Sequence, residues 1–185
     1  MGADINAVLP KKELHIIYPY PPALILACTN SNIDMVKLLF EYNPIIDIRC
    51  YSYKNTPLFY ATKLLKIDMV KFLLSKGANP NYRNTFNNTA LMEMVITQTQ
   101  EKLEKKIIKI FIQHGFNINI KNKDGQTLLM KHAQYESTDL EERSMIKYLL
   151  RLGADKEIKD DYGSTACMIA RVYKDKKAIR VLDCE

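Results

Sequence analysis

The residues able to do chemistry are few and scattered. Three histidines (His15, His114, His132) and four cysteines (Cys28, Cys50, Cys167, Cys184) are the candidate metal ligands and nucleophiles. No CxxC pair, HExxH or paired Cys/His spacing gathers them around a metal, and no GxSxG elbow presents a serine nucleophile. A cysteine nucleophile needs a base beside it, and the sequence offers none near Cys28 or Cys167. The carboxylates Glu101, Glu104, Asp139, Glu141 and Glu142 fall in two highly charged stretches, where they read as solvated helix faces rather than an acid–base pair. The six glycines are dispersed, so no phosphate-cradling loop can be built from them. The expectation is no catalytic residue, no cofactor and no metal. Whatever the chain does, it does with a surface.

That surface must be held by repeated elements. Thr56 to Asn81, TPLFYATKLLKIDMVKFLLSKGANPN, holds two short apolar-striped segments with a tight link. Leu58, Ala61 and Leu65 mark one face of the first, and Val70, Leu73 and Leu74 mark the second at i, i+3, i+4 spacing. Helices this short are marginal alone and must stack on copies of themselves. The opening phrase recurs from Pro22, Thr56, Thr89, Thr127 and Thr165, at spacings of 34, 33, 38 and 38 residues. The second phrase recurs at Val36-Lys37, Val70-Lys71, Ile108-Lys109, Ile146-Lys147 and Ile179-Arg180.

At these residues the chain resembles the ankyrin-repeat family, over roughly residues 17–185. The resemblance implies an all-α repeat solenoid, curved, with paired antiparallel helices linked by β-hairpin turns. The glycines agree with it. Gly77, Gly115 and Gly153 end second helices, Gly125 and Gly163 precede first helices, and Gly2 matches the end of a preceding unit. Asn43 takes the glycine's place after the second helix of repeat one. The family usually carries a histidine after the leucine of the first helix; here Ile25, Phe59, Met92, Met130 and Met168 stand there, a stripe that reads as core. His132 sits at a small first-helix position and reads as structural, with His114 and His15 at the surface. Asn81 and Asn119 match a position hydroxylated in some family members, although a turn-stabilising amide is the plainer role.

In chain order, residues 1–16 are an irregular N-terminal arm or the tail of an upstream repeat, suggested by Gly2 to Asn6. Residues 17–185 form the repeat domain, with repeats at 17–49, 51–83, 84–121, 122–159 and 160–185. Repeats three and four each carry five extra residues between their helices. Both inserts read as helical extensions, with Thr138/Glu141 spaced for a capping box and Glu101/Lys105 and Glu104/Lys105 among charges that favour a solvated helix face. In repeat five Asp183 stands where other second helices have Phe40, Leu74, Ile112 and Leu150, which suits a terminal cap.

Composition is that of an ordinary soluble domain, 47% apolar and 26% charged, with a net charge of +6. No apolar run is long enough to span a bilayer and no signal-peptide layout is present, so the reading is cytoplasmic, a host cytosol or nucleus included. Cys28 and Cys167 read as buried free thiols. Lysine over arginine, with abundant Ile, Asn and Tyr, suits an AT-rich source such as an intracellular bacterium, a large DNA virus or a protist.

In the family, partners dock on the concave face built by the hairpin tips and first-helix ends. Those positions here are Arg49, Tyr51, Tyr53, Asn55, Arg83, Phe86, Asn88, Lys121, Lys123, Gln126, Tyr135, Tyr162 and Tyr173. Exposed aromatics beside arginine are typical anchors, while packing of the hairpins by Tyr51 and Tyr53 is the structural alternative. The reading is a monomeric, non-catalytic protein-binding adaptor, centred on Tyr53, Arg83 and Phe86, whose partner could be a host protein, as for similar virulence effectors and viral proteins. It takes no small-molecule substrate and enters no membrane. A scaffold or targeting fragment of a larger protein is the alternative, and nucleic-acid binding through Lys121, Lys123 and Lys159 is a weaker one.

Overall fold

A computed structural model describes residues 5–6, 21–50, 53–94, 101–134 and 144–184. The described helices are α1 (Ala23–Thr29), α2 (Ile33–Phe40), α3 (Pro57–Lys63), α4 (Ile67–Ser75), α5 (Glu101–Gln113), α6 (Leu128–Ala133), α7 (Ser144–Arg151), α8 (Ala166–Val172) and α9 (Lys176–Val181). Four of them are first helices: α1 packs on α3, and α6 on α8. The second helices form their own row, α4 on α5, α5 on α7 and α7 on α9. No strand occurs among the described residues, so the molecule is all-α there.

Local chemistry sets each pair. Pro57 opens α3 at a position where its missing N–H costs nothing. Thr127 and Thr165 cap α6 and α8, each hydroxyl accepting from the backbone N–H three residues on at 3.4 Å. The link between helices turns on one left-handed residue, Ser31, Leu65 or Lys174, with φ of 56°, 54° and 54°. Asn43 and Gly77 take the same left-handed sense after second helices, as expected for helix ends (φ 52° and 94°).

The apolar stripes meet between the two rows. Leu24, Leu58, Leu91 and Leu129, equivalent in the repeat, are all at most 1% exposed, and Val36, Val70, Ile108 and Ile146 are fully buried. Each such side chain contributes roughly 1.5–3 kcal/mol on burial, an upper figure given a partly collapsed unfolded chain.

An amide rung ties the turn after α4 and the turn after α5 to the next repeat. Asn81 Oδ1 accepts from Asn117 N at 2.8 Å while its Nδ2 donates to the Gly115 carbonyl at 2.9 Å. Asn119 does the same with Asp155 N at 2.9 Å and Gly153 O at 3.2 Å. Asp47 takes this place one unit earlier, accepting from Asn79 N at 3.2–3.3 Å. Asn6 Oδ1 accepts from Ile45 N at 2.8 Å. The expected arm after it lies outside the described residues.

Several expectations need correction. Among the described residues, the first helix of repeat three is only a turn through Ala90–Met94, closed by Met94 N to Leu91 O at 3.3 Å. Glu104 is not solvated: it is 1% exposed, because it lies on the α5 stripe that continues through Ile107, Ile108 and Phe111. Met168, unlike Met92 and Met130, is 49% exposed: α8 packs on α6 and α9, and no further first helix covers its other side among the described residues. Asp183 is exposed but lies past a shortened α9, in the left-handed region with φ 54°. The chain then turns back and Cys184 bonds to Cys167, with Cα atoms 5.8 Å apart. Cys167 is therefore a disulfide cysteine rather than a free thiol, whereas Cys28 is free and buried as expected.

The insert of repeat three does lengthen its second helix: α5 has 13 residues against 9 in α4. Lys105 pairs with Glu101 at 2.8 Å, and its backbone carbonyl accepts from Tyr148 Oη on α7 at 3.1 Å. The insert of repeat four, with Thr138, Asp139, Glu141 and Glu142, lies outside the described residues.

Candidate functional site

Four loops precede the first helices of repeats two to five, and one design closes three of them. In each, a buried Asx residue stands directly after the basic one: Asn84, Asn122 and Asp160. Its Oδ1 accepts from backbone N–H groups two and four residues on, Phe86 and Asn88 for Asn84, Asp124 and Gln126 for Asn122, Tyr162 and Ser164 for Asp160, all at 2.8–3.1 Å. Its own N–H bonds the carbonyl four residues on at 2.9–3.0 Å. The loop is thereby a rigid knot rather than an open strand pair. In repeat two, Cys50 N bonds Asn55 O at 3.1 Å across one extra residue.

The knots are threaded to one another. Thr85 N donates to Tyr53 O, Lys123 N to Phe86 O and Asp161 N to Asp124 O, at 3.0–3.1 Å. Asn84 Nδ2 donates to Asn55 Oδ1 at 3.1 Å, and Asn122 Nδ2 to Asn88 Oδ1 at 3.0 Å. Glu93 Oε1 accepts from Asn84 and Asn88 at 3.2 and 2.7 Å. Gly125 must lack a side chain, because a Cβ there would lie 2.6 Å from Asp161 N. Beneath the loops, Tyr60 Oη donates to Cys50 Sγ at 3.3 Å, and burial followed by that bond pushes the Tyr60 phenol well above its usual range.

On this framework the expected surface residues divide into two groups. Tyr53 and Phe86 come together, ring centroids 5.9 Å apart with planes inclined by 32°, and remain 54% and 49% exposed. Arg49, Arg83, Lys121, Lys123, Tyr162 and Tyr173 are exposed as well. Asn55, Asn88 and Gln126 are half-buried, and the Asn55 and Asn88 amides are engaged between loops. Tyr51 and Tyr135 lie outside the described residues. Sequence reasoning missed Asn84, Asn122 and Asp160 as organisers, although an Asx recurring directly after a basic residue was a usable signal.

No group of three or more His, Cys, Asp or Glu that could hold a metal occurs among the described residues. Burial pushes the Cys28 thiol up to about 12, which leaves it protonated and unreactive near neutrality. His132 is buried on α6, and the exposed His114 donates Nδ1–H to the Ile110 carbonyl at 2.8 Å in one tautomer. No described helix is long and apolar enough to cross a membrane.

The family profile for ankyrin repeats matches three times, at residues 9–84, 66–133 and 91–184. Among curated proteins, the chain is 36% identical over 90 residues to the Ankyrin repeat protein OPG189 of Variola virus, covering 48% of this chain and 14% of that protein. It is 44% identical over 54 residues to the Transient receptor potential cation channel subfamily A member 1 of Homo sapiens, 29% of this chain and 5% of the other. A third similarity, 36% over 66 residues, is to the BRCA1-associated RING domain protein 1 of Caenorhabditis elegans, 36% of this chain and 9% of that one. The chain thus spans a small part of the curated relatives it matches.

Proposed function

The chain belongs to the ankyrin-repeat family, and from that premise we propose that it is a non-catalytic protein–protein interaction module. Its loop tips and first-helix ends form a concave face that captures a partner protein. The observation that carries this reading is the half-exposed Tyr53–Phe86 pair, presented by loops that hydrogen bonds already hold rigid. Preorganised aromatics lose little entropy on binding and so make efficient anchors. Arg83, in the same loop as Phe86, adds a guanidinium able to pair in a fork with a carboxylate. Tyr51, Asn55, Asn88, Lys121, Lys123, Gln126, Tyr135, Tyr162 and Tyr173 extend the face as complementary contacts.

The similarity to an ankyrin repeat protein of Variola virus favours a host protein as the captured partner, with the module working as a monomer in the cytoplasm or nucleus of that host. The five-repeat division, with an arm or an upstream unit at 1–16, accompanies this reading. What supports the second reading, a scaffold or targeting part of a longer protein, is the small share of each relative that the chain spans.

The test is affinity capture from lysate with the wild type beside a Tyr53→Ala, Arg83→Ala, Phe86→Ala variant, the two first matched for helicity and melting. Truncating a central anchor set should cost roughly 2 kcal/mol or more in binding the captured protein. Equal retention by both would sink the assignment of this face.

A further inference from the structure

Resting on the reading that the loop face binds protein, we propose that its occupant is an acidic segment that sets an aromatic or aliphatic side chain on the Tyr53–Phe86 pair and carboxylates on the cations around it. Arg49, Arg83 and Lys121 keep one register across three successive loops, and all three are exposed. Lys54, exposed too, directly follows Tyr53. None of these four cations makes an ion pair among the described residues, unlike Lys37 with Asp34 and Lys105 with Glu101.

The loops that carry the aromatic pair hold no opposing charge. Residues 49–55 and 83–88 contain no Asp or Glu. The nearest acids in sequence are both engaged: the Asp47 carboxylate accepts from Asn79 N, and Glu93 Oε1 accepts from the Asn84 and Asn88 amides. Exposed loop carboxylates enter only beyond them, at Asp124 and Asp161. The face therefore has a purely cationic aromatic half followed by a half of mixed charge. A partner that covers the first half must desolvate its guanidinium groups, which is costly unless carboxylates replace the lost water. A basic segment would be repelled, and a neutral one would leave the cations unpaired. Stacked nucleobases fit less well, because the two rings shield one another at 5.9 Å and leave no run of free ring faces.

The experiment pans a phage-displayed library of short random peptides on the intact chain, followed by fluorescence anisotropy of the recovered peptides. Panning should enrich Asp and Glu around an apolar residue and deplete Lys and Arg. Arg83→Glu with Lys121→Glu, verified as folded by circular dichroism, should weaken those peptides about tenfold or more, with affinity falling as salt is added. Tyr53→Ala with Phe86→Ala should also abolish binding. Neutral or basic peptides that still need Tyr53 and Phe86 would overturn the acidic occupant while leaving protein binding at this face intact. Peptides indifferent to both variants would overturn both readings. Recovery of no binding peptide would overturn the short-segment occupant. Displacement of acidic peptides by single-stranded polyuridylate at equal concentration would overturn it in favour of a polyanion.

Discussion

Replacing Asp47 with asparagine should stabilise the protein, although it removes a hydrogen-bonding charge. The equivalent residues Asn81 and Asn119 each accept one backbone N–H and donate Nδ2 to a glycine carbonyl, Gly115 or Gly153. A carboxylate at 47 can accept from Asn79 N but cannot donate to Gly77, the corresponding carbonyl. The Asp47→Asn change thus adds one bond, worth about 0.5–1.5 kcal/mol, or about 2–4 °C in Tm per kcal/mol for a chain of this size.

The pH dependence carries the mechanism. Burial raises the Asp47 pKa, and the bond from Asn79, which lowers it, does not fully offset that. An acid whose folded pKa is raised contributes stability that is fully present below its unfolded pKa, near 3.9, and is lost as pH rises through the folded value. Wild type should therefore gain on the Asp47→Asn variant upon acidification, so the gap is widest near neutrality and narrows toward pH 4. Urea denaturation followed by circular dichroism, with m unchanged, measures the gap. A variant no more stable than wild type at neutral pH, or a gap independent of pH, would refute the rung argument. The reverse change one rung along, Asn81→Asp, should destabilise by a similar amount.

Two further outcomes follow from the loops and the terminus. Gly125→Ala forces a Cβ to 2.6 Å from Asp161 N at φ +76°, whereas Gly163→Ala at φ +79° meets nothing within 4 Å. The first should cost about 2–4 kcal/mol in urea unfolding, and the second only the left-handed penalty of about 1–2 kcal/mol. Equal costs would show that the loops do not press together at Gly125. Opening the Cys167–Cys184 bond, whose sequence separation is 17, releases about 3 kcal/mol of chain-entropy restraint. Hydrogen exchange with and without dithiothreitol should show α8 and α9 losing protection while α3 and α4 keep theirs; protection unchanged by reductant, with Cys184→Ser behaving as wild type, would count against the staple. In a glutathione-reduced compartment this repeat would be the least secure.

The repeat fold was legible because its signals are local and redundant: apolar spacing, a proline or threonine opening a helix, and glycine closing one. Five instances of the phrase that Thr56-Pro57-Leu58 opens outweigh any single ambiguity. What escaped was non-local or depended on which side of a helix faces inward. Glu104 looked solvated among lysines, yet it shares a stripe with Ile107, Ile108 and Phe111, and extending that stripe one turn back would have placed it inside. Cys167 and Cys184 pair only because α9 stops early and the chain doubles back. The exposed character of Arg49, Arg83, Tyr53 and Phe86 was readable from register. The contact between the Tyr53 and Phe86 rings came from loop threading, which no periodicity encodes.

The threading also bears on how such a chain can change over generations. Successive loops are joined by one backbone bond in a common register, and an amide rung follows α4 and α5. A unit duplicated or excised in frame would bring equivalent donors and acceptors to the new seam, and the seam would heal. The side-chain bonds that join the knots at Asn84 and Asn122 run to Asn55 and Asn88, neither of them on the lengthened α5. Recombination can thus vary array length, and insertion can vary helix length, without disturbing the face that the loops present.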